Sequence, residues 1–498
     1  YLPFKDLDIL LVHPNASNKI YQDLSKDFSA IEPPIWAAMI AKFLLNKGYN
    51  VEILDCEAER LNSIDAGKII GIAKPRFVAV VVYGQQPSAS TQNMVGAIEL
   101  MKQVDMYGIP RIYLGAHPSA LPKKTVLDDK GAYVCEGEGP YTLDALLKAD
   151  LFEEGALDAV PGLWYYDEEA DEVRHTEPAP LITNLDEELP GLAWELLPME
   201  KYRTANWHSW TNGCDNEPFA SVYTSLGCPY KCTFCMINAP FGGSGFRYWS
   251  PEVMIKEFDK IAEMGIKNVK IADEMFVLNP THFMTLCELL IERDYGFNIW
   301  CYTRVDTVKE KYLATMKKAG INWVGLGIES GDVNVRKGVV KGKFQDLNIV
   351  DIVNKIHDHG INIGANYIFG LPNDTLESMQ NTLELALALN TDWAKFYCSM
   401  AYPGSKLHEE FSKNNPEALP EHSEYPGWIG YSQHAYETYN LPTETLAPGE
   451  VLAFRDKAFI KYFTNPEYVS RMTDKYGDMF TAELDRMLSH TLKRKFIG

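Results

Sequence analysis

The sequence lacks an excess of basic residues, a long apolar run and a regular cysteine framework. The net charge is -21, and the one basic run, Lys493-Arg494-Lys495, stands near the C-terminal end. Phosphate binding needs clustered Lys and Arg, so this balance argues against a nucleic-acid partner. The longest apolar stretch, residues 77–83, is far too short to cross a bilayer. Nine cysteines, an odd number without regular spacing, indicate reduced thiols in place of disulfides.

The remaining composition is that of an ordinary globular protein. Apolar residues make up 46% of the chain and charged residues 23%, which excludes a disordered or fibrous protein. A chain of 498 residues is long enough for two or three domains. No segment has the pattern of a signal peptide, although the chain starts at Tyr1 without a Met and a removed leader stays open. We predict a cytoplasmic protein.

Three cysteines, Cys228, Cys232 and Cys235, stand close together in the segment Cys-Pro-Tyr-Lys-Cys-Thr-Phe-Cys. Three thiolates on one loop can bind three irons of a cubane cluster and leave the fourth iron open to another ligand. A structural zinc site with Cys214 as its fourth ligand is the alternative. Closed zinc sites usually contain two Cys-x2-Cys pairs, and this sequence has no second pair. The three cysteines are therefore predicted to bind a [4Fe–4S] cluster at a catalytic centre.

Residues 1–150 alternate short apolar strands with helical segments, which predicts an α/β domain with a doubly wound, Rossmann-like parallel sheet. Pro34 and Gly48 bound a helix over residues 35–47. The predicted strands are 8–12, 51–54, 77–83, 111–114 and 132–134. Ligands of such sheets bind outside the carboxyl ends of the strands. The loops there contain the candidate binding residues Asn15, Tyr83, Gly84, Gln85, Gln86, Ser88, Gly115, His117, Glu136 and Gly137.

Residues 151–218 are rich in proline and acidic residues and are predicted to be a linker that packs across both neighbouring domains, with Trp194 and Leu197 as apolar anchors. Residues 219–404 repeat a strand and a helix six times. This pattern predicts a partial (β/α)6 barrel, whose active site lies at the carboxyl ends of the strands. The predicted strands are 219–225, 267–272, 297–302, 322–328, 361–369 and 393–399.

Unusual residues follow these strands in order. They are Phe234 within the cysteine loop, Glu274, Arg304, the pair Glu329 and Ser330, and the run Phe369, Gly370 and Leu371. Each has an ordinary explanation alone, since charged strand ends are often only solvated and Gly-Leu-Pro is often only a turn. Together, in this order after the cysteine loop, they resemble the radical S-adenosylmethionine (SAM) superfamily. The preceding domain and linker resemble those of its cobalamin-dependent class.

The resemblance implies roles for these residues. Glu274 would accept from the amino group of SAM, and Arg304 would pair with its carboxylate. Glu329 and Ser330 would bind the ribose. The adenine would stack on Phe234 and contact the backbone of Phe369, Gly370 and Leu371.

The first domain departs from part of the cobalamin pattern. Its first strand is followed by His13-Pro14-Asn15, without the Asp-x-His-x-x-Gly that donates a histidine to cobalt. The resemblance therefore implies a lower cobalt face that is open or covered by Gln85 or Gln86. Small residues in the loops would let the backbone approach a flat macrocycle. A flavodoxin-like domain with a structural or nucleotide-binding role is the alternative.

The resemblance implies a methyltransferase in which a 5′-deoxyadenosyl radical abstracts hydrogen and methylcobalamin donates methyl to an unactivated carbon, or less often to phosphorus. A non-methylating relative, such as an anaerobic oxidative cyclase or a ring-contracting oxidase, is the runner-up. A cobalamin or iron–sulfur sensor is a third possibility, which the charged residues of a SAM pocket disfavour. A small-molecule or lipid-linked substrate and a one-electron reductant such as flavodoxin or ferredoxin are the expected partners.

Residues 405–498 are predicted to form a mainly helical C-terminal cap. The segment 427–434 would close the open side of the barrel, where Trp428, Tyr431 and His434 would shape a substrate pocket or transfer protons. A simple packing role is an equal alternative for each of the three. From Glu450 onward the pattern predicts amphipathic helices, the first with Phe454 on its apolar face.

Overall fold

The computed structural model describes residues 6–83, 87–151, 153–210, 216–339, 348–422 and 426–497. The strands run as follows: β1 Ile9–His13, β2 Val51–Asp55, β3 Phe77–Val82, β4 Arg111–Gly115, β5 Tyr133–Cys135, β6 Leu163–Asp167, β7 Glu172–His175, β8 Phe219–Val222, β9 Ser225–Leu226, β10 Arg247–Tyr248, β11 Asn268–Ile271, β12 Asn298–Arg304, β13 Ile321–Glu329, β14 Asn362–Phe369 and β15 Trp393–Cys398.

Helices separate most of these strands. They are α1 Ser17–Tyr21, α2 Leu24–Asp27, α3 Ile35–Asn46, α4 Ser63–Ala73, α5 Pro87–Asp105, α6 Ala116–Ala120, α7 Pro122–Asp128, α8 Pro140–Lys148, α9 Leu185–Glu188, α10 Asn206–Ser209, α11 Pro251–Glu263, α12 Pro280–Arg293, α13 Glu310–Lys318, α14 Val333–Gly338, α15 Ile349–Asp358, α16 Leu376–Leu389, α17 Lys406–Asn414, α18 Pro448–Phe463, α19 Pro466–Tyr476 and α20 Asp478–Ser489. None of the described helices is long and apolar enough to cross a membrane.

The first sheet has the order β2-β1-β3-β4-β5-β6-β7. Its first five strands are parallel, and the change of direction in strand order next to β1 makes the sheet doubly wound. All five predicted strands of residues 1–150 are confirmed to within one residue at each end. The hairpin of β6 and β7 was not predicted: it comes from the predicted linker and pairs antiparallel with β5.

The second sheet is parallel. Its six strands lie in sequence order, β8-β11-β12-β13-β14-β15. All six predicted strands are confirmed, although β8 is shorter and β12 longer than expected. Strands β8 and β15 are the two edges, so the sheet is an open partial barrel. We call the carboxyl ends of its strands the carboxyl edge and the opposite ends the amino edge.

The amino edge is closed by a ladder of amide side chains. Asn298 donates to Asn268 Oδ1 over 2.9 Å, and Asn322 donates to Asn298 Oδ1 over 3.2 Å. Asn298 also donates to the carbonyl of His208, whose Nε2 lies 2.9 Å from Asn298 O. Burial lowers the pKa of His208 to about 3, so its imidazole is neutral. These contacts tie the linker to the amino edge.

The same edge ends in a buried ion cluster. Asp392, which is fully buried, lies 2.7 Å from Lys475 Nζ, 3.0 Å from Arg471 Nη1 and 2.9 Å from His357 Nε2. It also accepts from the Ile363 backbone at 2.9 Å. Burial opposes its ionisation, but the three basic partners hold the pKa of this carboxyl well below its ordinary value. The cluster attaches α15 and α19 to the second sheet.

Residues of the segment predicted to be the linker contact both neighbouring domains. Ala193 donates to the Ala38 carbonyl of α3 at 3.2 Å, while Trp194 Nε1 donates to Glu257 of α11 at 2.8 Å. Glu138, after β5, forms a bidentate pair with Arg247 of β10 at 2.6 and 3.1 Å. One continuous hydrophobic cluster contains buried residues of both sheets.

The C-terminal residues are mainly helical, as predicted, and α18 packs along edge strand β15. Ala458 and Tyr462 are buried, and the Tyr462 hydroxyl donates to Thr391 O at 2.7 Å. At its other end, the Phe454 ring lies 5.0 Å from that of Phe369 at the carboxyl edge. The predicted apolar face of this helix is therefore confirmed.

Candidate active site

The carboxyl edge of the second sheet faces the strand ends of the first sheet. A cavity of about 20 Å³ lies between them. Trp36, Tyr83 and Ala116 line it from the first domain, and Gly227 and Glu274 line it from the barrel. The Trp36 and Tyr83 rings stack at 4.2 Å. Tyr83, a predicted cobalamin contact, and Glu274, a predicted SAM contact, thus line the same cavity.

The cysteine loop begins directly after β9. Gly227 has φ +85, and an added Cβ would lie 2.7 Å from Gly245 O, so only glycine fits this turn. Asn238 holds the backbone of Cys228 by bonds of 3.4 and 3.1 Å to its N–H and carbonyl. Cys228 is buried, Cys232 half-buried and Cys235 exposed. The three cysteines therefore differ in the exposure of the whole residue, although burial also raises the pKa of the Cys235 thiol.

Burial raises the pKa of the Cys228 thiol to about 11, so iron binding there requires loss of a proton. No group of three or more His, Cys, Asp or Glu in the described ranges converges on the position of a single metal ion. In a cubane, each cysteine binds a different iron, so the thiols need not converge. Cys214, the alternative zinc ligand, lies outside the described residues.

Arg304, at the end of β12, lies beside the cysteine loop. Its Nη1 is 3.8 Å from Cys232 Sγ, and its guanidinium lies 3.8 Å from the centre of the Tyr230 ring. Asp306 holds Arg304 by two bonds of 2.8 and 2.9 Å. This fork fixes the plane of the guanidinium, which suits recognition of a planar carboxylate.

Glu274 follows β11 and is positioned by its neighbour. Asp273 is buried and accepts from Thr224 N and Oγ1, both at 2.6 Å, and from Ser225 Oγ at 2.5 Å. Burial, together with the charge of Asp273, raises the pKa of Glu274 to about 8. A nearby ammonium group would favour its ionised form. Asp273 is a positioning residue that the sequence did not reveal, because one acidic residue next to another gives no sign of which is buried.

Glu329 ends β13 in a strained conformation. Its φ is +66, in the left-handed region that non-glycine residues rarely adopt, and the pairing with β14 shifts register there. Ser330 is fully buried, and its hydroxyl contacts Thr382 at 3.2 Å and accepts from Asp332 N at 3.1 Å. Ser330 therefore holds the loop that presents Glu329, and its contact with the ribose stays a prediction.

The predicted adenine contacts come together around the end of β14. Phe234 packs against the cluster formed by Val335, Val339 and Leu371. Gly370 has φ +78, and an added Cβ would lie 2.6 Å from Val451 of α18. The Phe369 ring is fully buried against other aromatic rings, and its carbonyl accepts from Ser399 N at 2.8 Å.

In the first domain, Tyr83 and Gly137 lie at the interface. The Tyr83 hydroxyl donates to Gly137 O at 2.9 Å, and Gly137 N donates to Ser119 Oγ at 3.0 Å. Gly137 has φ +117, and the nearest atom to an added Cβ is Pro240 O of the barrel at 3.9 Å. Gly115 has a different role: an added Cβ would lie 2.2 Å from Val82 O, so this glycine permits close packing of β3 and β4.

The other predicted cobalamin contacts are mostly engaged within the protein. Asn15 accepts from Ser17 N at 3.0 Å. His117 is buried, its ring lies 4.4 Å from that of Trp428, and burial lowers its pKa to about 3. Ser88 is half-buried at the start of α5. Glu136 accepts from Trp164 Nε1 at 2.6 Å. Gly84, Gln85 and Gln86 lie outside the described residues.

The C-terminal candidates separate into two groups. Tyr431 is fully buried, with its hydroxyl donating to Glu421 at 2.6 Å, and it packs with Trp428 in the apolar core of the first domain. His434 instead lines a large cavity inside the second sheet. Burial lowers the pKa of His434 to about 3, so it is a neutral imidazole at neutral pH.

Comparisons with known proteins agree with this geometry. The model of the radical SAM superfamily matches residues 222–386, and that of the B12 binding domain matches residues 23–147. An uncharacterized methyltransferase of Pyrococcus horikoshii, PH0819, is 30% identical over 415 residues, covering 82% of this chain and 84% of the relative. The anaerobic magnesium-protoporphyrin IX monomethyl ester cyclase of Rubrivivax gelatinosus is 25% identical over 487 residues, 91% of this chain and 78% of the cyclase.

A solved structure shares the fold. The radical SAM methyltransferase TsrM from Kitasatospora setae, with cobalamin and a [4Fe–4S] cluster bound, superposes with a TM-score of 0.60 at 19% identity, over 81% of this chain and 74% of TsrM. An open radical SAM barrel preceded by a B12-binding domain defines a class of enzymes. The chain belongs to the cobalamin-dependent radical SAM family.

The cofactors of the family are a [4Fe–4S] cluster, SAM and cobalamin. The residues present fit the first two, because three thiols and charged groups of both signs lie at the carboxyl edge of the second sheet. Ala116, Ser119 and Gly137 give the first domain the small side chains that a macrocycle needs at the strand ends.

Proposed function

We propose that the chain is a methyltransferase that transfers a methyl group to an unactivated carbon of a small-molecule or lipid-linked substrate. The observation that carries this proposal is the cavity that both domains line, because it sets Tyr83 and Ala116 of the B12-binding domain against Gly227 and Glu274 of the barrel. A methyl donor on one wall and a radical generator on the other need such a shared boundary.

When bound, the cluster and SAM supply a 5′-deoxyadenosyl radical, and cobalamin supplies the methyl group. The protein binds and orients. Arg304, fixed by Asp306, presents a planar cation toward the SAM carboxylate, and Glu274 presents its carboxylate to the SAM amino group. Glu329, at a strained strand end, would bind the ribose. Packed aromatic rings such as Trp36 exclude water from the boundary, which protects a radical.

An oxidative cyclase is the second candidate, and the cyclase relative that aligns over 91% of this chain favours it. The two functions differ in how SAM is used, because methyl transfer needs SAM as a methyl source and as a radical source. Oxidation needs only the radical source.

The test is anaerobic reconstitution with iron, sulfide and hydroxocobalamin, followed by SAM and a reductant such as flavodoxin. Mass spectrometry would quantify 5′-deoxyadenosine and S-adenosylhomocysteine. We expect both products, with labelled methyl carried from SAM to the substrate. Deoxyadenosine without S-adenosylhomocysteine would overturn the methyltransferase in favour of the cyclase.

A further inference from the structure

A cavity of about 400 Å³ lies inside the second sheet, on the amino side of the carboxyl edge. Side chains of β12 and β15 line it, including Trp300, Tyr302 and Lys395, and Trp207 of the linker contributes a further wall. Thr491, an exposed residue of the C-terminal segment, also lines the cavity, so the cavity reaches the surface. Its volume is in the range that holds small organic ligands.

Two lysines point into this largely aromatic space, and their surroundings differ. Lys270 of β11 is 1% exposed and forms an ion pair of 2.8 Å with Glu32. Lys395 of β15 lies over the rings of Trp207 and Trp300, with its ammonium 5.1 and 5.4 Å from the ring centres. Within the described parts of the chain, Lys395 makes neither a hydrogen bond nor an ion pair.

Lys395 is half-buried, and no anion among the described residues hydrogen-bonds its ammonium. The indole faces offset only part of the cost of removing that ammonium from water. Burial, with the nearby charge of Lys270, lowers the pKa of Lys395 to about 8. The amine is therefore still mainly protonated at neutral pH. An anion in the cavity would supply the partner that the described residues do not.

Arg455 and His434 also line the cavity, and neither is a cation without a partner. Arg455 donates to Phe396 O at 2.8 Å and pairs with Asp456 at 2.8 Å. The imidazole of His434 is neutral. Lys395 is thus the cation in this wall with capacity to pair with a ligand.

We propose that this cavity binds the substrate, and that the substrate is an organic anion whose carboxylate or phosphate pairs with Lys395 while its apolar body lies against Trp207 and Trp300. Cys398, three residues beyond Lys395, ends β15 at the carboxyl edge. At roughly 3.3 Å per residue, a ligand body about 10 Å long would span from Lys395 to the level of that edge. The claim that this ligand is the substrate rests on the proposed function. The claim that the cavity binds an organic anion does not.

The test is isothermal titration calorimetry on the reconstituted protein with three naphthalene probes. They are 1-naphthaleneacetate, 1-naphthyl phosphate and the neutral 1-naphthaleneacetamide. We expect the better of the two anions to bind about ten- to hundredfold more tightly than the amide, the range expected for a charge-assisted hydrogen bond. The preferred anion distinguishes a carboxylate substrate from a phosphate ester.

In Lys395→Met, which keeps the length of the side chain, the preference should fall to about one. Lys68→Met is the matched control, because Lys68 lies on the exposed surface of α4, and it should keep the full preference. Equal affinity for anions and amide in the unsubstituted protein, absence of binding, or an unchanged preference in Lys395→Met would each overturn the proposal.

The two proposals fail separately. If the protein binds the anions selectively but forms no S-adenosylhomocysteine, the methyltransferase proposal is wrong and the anion-site proposal stands. If both SAM products form normally but anions bind no better than the amide, the anion-site proposal is wrong and the methyltransferase proposal stands.

Discussion

The two edges of the second sheet carry polar side chains in the same sequence positions, at the ends of strands, but use them differently. At the amino edge, Asn298 and Asp392 are saturated by partners within the protein. At the carboxyl edge, Glu274 is held with a raised pKa, and Glu329 is held in a strained conformation. The polar groups of the amino edge therefore stabilise the fold, whereas those of the carboxyl edge are positioned to bind a ligand.

The largest expected effect is at the carboxyl edge. Cys232→Ala removes one of three iron ligands, so we expect loss of cluster iron and of 5′-deoxyadenosine formation by at least about a thousandfold. When both proteins are free of cluster, their free energies of unfolding should differ by less than about 1 kcal/mol, because the half-buried side chain packs little. Cys56→Ala, a buried cysteine of the first domain, is the control and should retain iron. If the Cys232→Ala variant formed 5′-deoxyadenosine at an unchanged rate, the assignment of Cys232 as a cluster ligand would be wrong.

The matching change at the amino edge is Asp392→Asn. It leaves His357, Arg471 and Lys475 around a neutral group, and we expect a loss of roughly 3–5 kcal/mol in the free energy of unfolding. Denaturant unfolding measures this loss. Asp351→Asn on the surface of α15 should cost no more than about 0.5 kcal/mol. If both variants lose the same stability, the buried cluster does not hold the edge.

Acid should weaken the amino edge through His208. His208 has a pKa of about 3 in the folded protein against 6.5 for the unfolded chain, so its contribution is present above pH 6.5 and is lost as the pH falls toward 3. Between pH 7 and 5 this amounts to about 2 kcal/mol. In His208→Gln the decrease in unfolding free energy over that interval should be smaller by that amount. The exposed His175→Gln should leave the decrease unchanged.

The smallest expected effect tests the strain at Glu329. Glycine adopts φ +66 without a Cβ clash, so Glu329→Gly should raise the free energy of unfolding by up to about 1 kcal/mol. The same change removes the proposed ribose contact and should raise the Kd for SAM about tenfold. Glu329→Gln keeps the strain and should not gain stability. A glycine variant that is less stable and binds SAM normally would place Glu329 with the structural residues of the other edge.

Strand positions and motif order were predictable because both parallel sheets produce strong apolar runs and because the motif residues follow the strands directly. Two kinds of feature were not. The β6–β7 hairpin has one exposed side, so residues such as Glu172 hide its strand pattern. Lys395, in an alternating strand, has the sequence pattern of a solvent-facing residue, yet it lines the cavity inside the open barrel.

Sequence also did not separate residues that bind a ligand from residues that hold a loop. Ser330 and Asp273 illustrate this in opposite directions. Ser330 was predicted to contact ribose, and its hydroxyl also holds the loop through Thr382 and Asp332. Asp273 was given no role, and it fixes the turn before Glu274. Hydrogen-bond partners far away in sequence decide such cases.

The hairpin of β6 and β7 also sets how the first domain behaves outside the whole chain. A fragment that ended at residue 150 would leave one side of β5 without its partner strand, and bare strand edges promote aggregation. Within the chain, the outermost strand β7 is only four residues long and carries Glu172 and Arg174 on its exposed face. Short, charged edge strands resist pairing with other molecules. We therefore expect the first sheet to resist aggregation through this edge only when the chain extends to His175.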